Sequence, residues 1–290
     1  MPAHTHDHVD WASRLTALRR QDSLERDPLT VVATRLGSGL PQGATVVDVG
    51  SGAGGMSAAL THTLRQHGGG TMILVDAVDE LLAAAQDSAS AVGDGTVNLR
   101  TVGADVGSQA LQELVPAADL VWASAVVHHL PDQQVAVDRL AAALRPSGML
   151  AVSEGGLDTR CLPWDMGFGK PGLELRLNAI RDSWFEQLRA TMPEAVRMPY
   201  GWTTALRHAG LVDVGSFTYL VDHPAPADDL VREFAIDRIG WLAEIAEDQL
   251  DAADRATARR LLDPDAPEYL GARDDLYLLS ARTVHYGRRP

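Results

Sequence analysis

One stretch constrains this chain more than any other: Val46-Val47-Asp48-Val49-Gly50-Ser51-Gly52-Ala53-Gly54-Gly55-Met56. An apolar run feeds a glycine cluster, and an alanine-rich helical pattern follows from Ser57 to Leu64. The pattern predicts a strand, a tight turn and a helix. A turn stripped of side chains lets backbone N–H groups and a helix N-terminus approach a ligand closely. Asp48 is the unusual member, a carboxylate inside an apolar strand. Burying such a group is costly unless it is hydrogen-bonded, so it needs a structural or ligand-linked reason.

Downstream, apolar runs and helical patterns alternate. Strands are expected at Thr71–Val75, Val97–Val102, Asp119–Ala123 and Met149–Ser153, with helices at Val78–Ala91, Ser108–Leu114 and Gln134–Leu144 between them. Five strands alternating with helices make a βαβ series, hence a mostly parallel α/β sheet covered on both faces. Such sheets bind ligands beyond the C-terminal ends of their strands. Asp76, Asp105, Ser124 and Glu154 all fall at those ends. Upstream, helical spacing is expected from Val9 to Arg20, and a second helix is expected to open at Asp27-Pro28 and run to Arg35. His4, His6 and His8 are expected to belong to a polar terminus, not to a metal site.

After Glu154 the alternation breaks. Gly155–Gly172 has a loop-like composition; Leu173–Thr191, Thr203–Ala209 and Asp228–Leu262 have helical patterns; Val212–Val221 and Leu276–Val284 resemble strands. Of the fifteen aromatic residues only Trp11 and Trp122 precede residue 160, so an aliphatic core is expected first and aromatic-rich helical matter later. The expected division is an N-terminal helical segment, 1–43, acting as a lid, then one domain over 44–290 with helical insertions at about 155–200 and 224–270. Trp164, Phe168, Trp184, Tyr200, Trp202 and Trp241 are candidates for a pocket lining, with Arg160 or Arg176 pairing an acid; the alternative is that they form the core of the helical insertions.

Composition narrows the function classes. A net charge of −14 argues against nucleic acid as a partner, because phosphate neutralisation needs a basic surface. The single Cys161 excludes an intramolecular disulfide and a cysteine-rich metal cluster. No apolar run approaches 20 residues, so membrane insertion is not expected. A cytoplasmic enzyme acting on a small molecule, compatible with a homo-oligomer, is the expectation.

Two cofactors compete for the glycine turn. Gly50, Gly52 and Gly55 satisfy Gly-x-Gly-x-x-Gly, the dinucleotide pattern, which would make this an NAD(P)-dependent oxidoreductase with Asp76 on the ribose. Asp48 discriminates. Asp48, Gly50, Gly52 and Gly54 together resemble the first motif of class I S-adenosylmethionine-dependent methyltransferases. Asp76, Ala104-Asp105 and Leu144-Arg145-Pro146-Ser147-Gly148 fall where that family places its further marks, with Ser147 in place of a common glycine. The stretch Val126-Val127-His128-His129-Leu130-Pro131-Asp132 is similar to the small-molecule branch that includes ubiquinone and menaquinone biosynthesis methyltransferases.

The resemblance implies a Rossmann-like, doubly wound, seven-stranded and mostly parallel sheet, with N-terminal helices and late helical cap insertions. It implies S-adenosyl-L-methionine as cofactor, S-adenosyl-L-homocysteine as product and no metal. Asp76, beside Ala77, would accept the ribose hydroxyls; Asp105, beside Val106, would accept from the adenine amino group. The backbone at Asp48, Gly50, Ser51, Gly52 and Gly54 would face the ribose and methionine portion, and the ammonium would lie near carbonyls around Gly50 and Ser124-Ala125. His128, His129 and Glu154 are candidates for a base or an acceptor-orienting group, with Tyr219 and His223 behind them. The expected acceptor is an apolar or aromatic metabolite, in secondary metabolism or quinone-like chemistry. A non-catalytic cofactor-binding homologue is the remaining alternative.

Overall fold

A computed structural model describes residues 9–290, so His4, His6 and His8 lie outside the described residues. In chain order the elements are α1 (Leu15–Gly37), β1 (Ala44–Val49), α2 (Gly55–Gln66), β2 (Gly70–Asp76), α3 (Asp79–Ala91), β3 (Val97–Gly103), α4 (Leu111–Leu114), β4 (Ala118–Ser124), α5 (Gln133–Ala142) and β5 (Leu144–Arg160). They continue as α6 (Leu173–Thr191), α7 (Trp202–His208), β6 (Val212–His223), α8 (Asp229–Ile245), α9 (Ala252–Leu262) and β7 (Leu278–Arg288).

The strands form one seven-stranded sheet in the order β3-β2-β1-β4-β5-β7-β6. β1 pairs in parallel with β2 and β4, β2 with β3, and β4 with β5. Strand order reverses between β1 and β4, and a doubly wound sheet opens its ligand crevice at such a point. The central strands are buried on both faces: Val46, Val47, Val49, Ile73, Leu74, Val121 and Leu150 are fully enclosed. Near-continuous Val, Ile and Leu is what a two-sided parallel sheet requires.

Two differences from the sequence reading have clear causes. The two helices expected on either side of Asp27-Pro28 are one, α1, which runs through Pro28. A helix-interior proline forfeits a backbone bond and disfavours the helix by about 3 kcal/mol. Burial of Leu24, Leu29, Val32, Ala33 and Leu36 along one stripe, with α1 packed on α2, outweighs that. Second, β5 does not stop at Ser153 but continues to Arg160 through the loop-like Gly155-Gly156. Pairing with the neighbouring β7 supplies what local composition lacks.

The chain divides into two compact units. The larger comprises residues 1–155, 192–219 and 282–290; the smaller comprises 156–191 and 220–281. Within the smaller unit Leu173, Leu177, Ile239, Leu242 and Leu261 are buried, and Trp184 meets Trp241 edge-on at 6.1 Å. Arg176 grips Asp254 through Nε and Nη2 at 2.5 and 2.7 Å. The buried Glu174 carboxylate accepts from the backbone N–H groups of Cys161 and Leu162. No helix among the described residues is long and apolar enough to cross a membrane.

Candidate active site

The larger unit holds a cavity of about 400 Å³ at the C-terminal ends of β1, β2 and β4. Asp48, Gly50, Ser51, Gly52, Asp76, Ala77, Asp105, Val106, Ser124, Ala125 and His129 are all on its wall. Eleven residues scattered over 82 positions of sequence therefore converge on one space.

Each acid is held differently. Asp48, 2 % exposed, accepts a 2.5 Å hydrogen bond from Ser57 Oγ on α2. Burial pushes its carboxyl up to about 7, against that bond, with Asp22 and Asp76 nearby adding to the rise. Asp76 accepts from Gly52 N and Val78 N, both at 3.0 Å, so it clamps the glycine turn to the end of β2. Burial raises its pKa too, more than those amides lower it. Asp105 closes its own turn, accepting from Gly107 N at 2.8 Å and Ser108 Oγ at 3.0 Å.

Gly52 has φ +54°, and the nearest atom a Cβ there would meet is Gly50 O at 4.0 Å. The left-handed backbone, not crowding, selects glycine at this place, and the space beside it belongs to the cavity. Gly54 is different. It is off the cavity wall and packs on α3, where a Cβ would lie 2.6 Å from Ala85 Cα. The last glycine of the motif therefore serves helix packing.

The fold brings together the three residues expected to act as base or orienting group, with the His128 and His129 rings 4.1 Å apart, but sets only His129 on the cavity wall. Glu154, 2 % exposed, accepts from Val126 N and Val127 N at 3.1 and 2.8 Å, and its other oxygen is 2.5 Å from His128 Nδ1. It anchors the Val127–His129 turn and orients His128; neither residue is on the cavity wall. His129 is on the wall, with its ring edge-on to Trp11 at 5.3 Å. Tyr219 is buried, its hydroxyl bonded to Ser153 and its pKa pushed up to about 12, chiefly by burial. It therefore stays protonated near neutral pH and does not serve as a base.

Sequence reasoning missed a whole side of the site. Helix α1 contributes Leu18, Gln21, Asp22, Glu25 and Leu29 to the wall, and β7 contributes Arg282. Asp22 accepts from Gly55 N at 2.8 Å, and burial pushes its carboxyl up to about 7. Glu25, 8 % exposed, takes Gln21 Nε2 at 2.8 Å and lies 3.5 Å from Arg282 Nη2. The signal was present: 18, 22, 25, 29 and 36 run down one face of a 3.6-residue helix, which places two acids on the stripe of buried leucines. Of the aromatic candidates that belong to the larger unit, Tyr200 and Trp202 are not on this wall. Trp164 is 66 % exposed, while Tyr200 and Trp202 pack against the core beside α5 and α7. Among the described residues no group of three or more His, Cys, Asp or Glu is placed to hold a metal ion.

Asp22 and Asp48 make stability depend on pH. Their folded pKa of about 7 stands above the usual carboxylate value, so the folded chain holds protons the unfolded chain has released. Stability from both groups is complete below about pH 4 and falls as pH rises to about 7. The melting temperature of the ligand-free protein is expected to drop between pH 5 and 7.5, with a shallower slope in Asp48→Asn. An identical slope in that variant would refute the burial assigned to Asp48.

Residues 47–150 match a family model described as a methyltransferase domain. A curated relative, trans-aconitate 2-methyltransferase of Variovorax paradoxus, is 28% identical over 144 residues. That match covers 50% of this chain and 49% of the relative, so the chain spans about half the length of the curated relative it matches. Among solved structures, the candidate methyltransferase BH2331 of Bacillus halodurans C-125 aligns with a TM-score of 0.50 at 14% identity, over 92% of this chain and 99% of that one. YcgJ of Bacillus subtilis aligns with a TM-score of 0.50 at 18% identity, over 90% and 98%. At such identities these two likenesses concern the fold alone. Residues 47–150, which match the methyltransferase-domain model, are also the stretch whose motif-bearing strand ends gather on one cavity.

Proposed function

We propose that the protein transfers a methyl group from S-adenosylmethionine to a small-molecule acceptor. The observation that carries the reading is the row of Asp48, Asp76 and Asp105 at successive strand ends, around one cavity floored by an open glycine turn. Ser51 supports the fit: its hydroxyl is buried on the cavity wall and has no hydrogen-bond partner, as expected where a polar ligand completes the set. Asp76 would hold the ribose hydroxyls, Asp105 with Val106 the adenine edge, and the Gly50–Gly52 backbone the methionine portion.

When bound, the cofactor supplies a methyl group already activated on a sulfonium. What remains for the protein is to align donor and acceptor and to exclude water. Trp11, Leu18, Leu29, Met56 and Trp122 give the wall its apolar part; Gln21, Glu25 and Arg282 give it a polar end. That lining suits a small acceptor with an apolar body and a polar tip, and Arg282 would take a carboxylate of the kind the curated relative's substrate name implies. His129, which is on the wall, would take a proton from the acceptor, with His128 and Glu154 supporting the turn that carries it. Turnover should therefore suffer more from His129→Ala than from His128→Ala; the reverse order in a methylation assay would move the base off the wall. We place this work in the cytoplasm and without nucleic acid, on the net charge of −14 and the lone, buried Cys161.

Thermal shift tests the reading. A ligand at 100 times its dissociation constant adds about 2.7 kcal/mol of stability. S-adenosylhomocysteine is expected to raise the melting temperature and NADH to leave it unchanged; the opposite pattern would return the glycine turn to the dinucleotide class.

A further inference from the structure

The acids on the cavity wall are not equally occupied. Asp48 holds Ser57, Asp76 receives two backbone amides, and Glu25 faces Arg282 and Gln21. Asp22 has only the Gly55 amide, on Oδ2; Oδ1 has no hydrogen-bond partner among the described residues. Its place is fixed by close packing, since a Cβ at Gly55 would lie 2.5 to 2.9 Å from the Asp22 side chain.

Capping the start of α2 accounts for one oxygen, and a neutral asparagine would do that as well. It does not account for a carboxylate next to Glu25 and Asp48, both of which oppose its ionisation or are opposed by it. Like charges gathered in a poorly solvated space are unfavourable unless a cation joins them. The orphaned Ser51 hydroxyl, 7 % exposed and on the same wall beside the glycine turn, independently marks a polar ligand at this end of the cavity.

We propose that Asp22 binds the cationic amino group at the methionine end of the methyl donor, which makes α1 part of the cofactor site and not only a cover over it. This rests on the methyl-donor reading above. Asp22 replaces the backbone carbonyls expected from sequence as the main partner of that ammonium. A charge-assisted hydrogen bond to an otherwise unpaired oxygen is among the stronger polar contacts a site can offer.

Asp22→Asn tests it, because asparagine keeps the volume and an oxygen for the Gly55 amide while removing the charge. Calorimetric titration at pH 8 compares S-adenosylhomocysteine with 5′-methylthioadenosine, which keeps the nucleoside and thioether but lacks the amino acid. The variant should bind S-adenosylhomocysteine about tenfold more weakly and 5′-methylthioadenosine within twofold of the wild type. Unchanged S-adenosylhomocysteine affinity overturns the proposal, and so does an equal loss for both ligands, which would mean that α1 has merely shifted. Wild-type protein binding neither ligand would instead overturn the methyl-donor reading, and this inference with it. If Asp22→Asn fails to fold, Asp22→Ser, which also leaves an oxygen for Gly55, is read by the same criteria.

Discussion

Asp76→Ala is expected to weaken S-adenosylhomocysteine binding by at least tenfold and up to about a hundredfold. Hydrogen bonds to a charged group each contribute about 1.5–3 kcal/mol, and a ribose would offer two. The alanine variant loses more than those two bonds. Gly52 N and Val78 N both donate to this carboxylate, so its removal also frees the glycine turn from the end of β2. Asp76→Asn separates the effects, because it can still receive one of the amides while carrying no charge. Calorimetry should rank wild type above Asp76→Asn and Asp76→Asn above Asp76→Ala. Equal affinity in all three would remove the ribose from this strand end.

Trp122→Ala should destabilise the fold by about 3–5 kcal/mol, the range for deleting a large buried aromatic. Trp122 is on β4, in register with Asp48 on β1 and Ala151 on β5. It is 1 % exposed, yet it is among the residues that line the cavity. Truncation therefore removes core packing and enlarges the ligand space together. Urea titration is expected to lower the midpoint, with weaker S-adenosylhomocysteine binding alongside. A loss below 1 kcal/mol would show that the neighbouring strands collapse into the gap.

The elements that local pattern specifies were legible before the structure. Strands β1 to β4 and helices α2, α3 and α5 lie within a few residues of their expected bounds. Their apolar runs and helical stripes are each bounded by Gly, Pro or Asp, and these signals act over a few residues. Errors arose where distant packing overruled a local cue. Pro28 reads as a helix start, and α1 passes through it because its apolar stripe continues on α2. Gly155-Gly156 reads as a loop, and β5 passes through it because a neighbouring strand pairs with it.

The same division runs through the site. By itself the sequence carried the resemblance that implies the class of cofactor: Asp48 in an apolar strand before the glycines, with Asp76 and Asp105 at the next strand ends, is the pattern that resembles the methyl-donor family. Only the tertiary structure decided which side chains share the cavity. It brought His129 to the wall and left His128 and Glu154 bound to each other. It set Gly54 against α3, and delivered Asp22 and Glu25 from one end of the chain and Arg282 from the other. The physical reason is range. A strand, a turn and a strand-end acid are encoded within about ten residues, whereas the pairing of α1 with the glycine turn depends on burying a helix face more than twenty residues away in sequence.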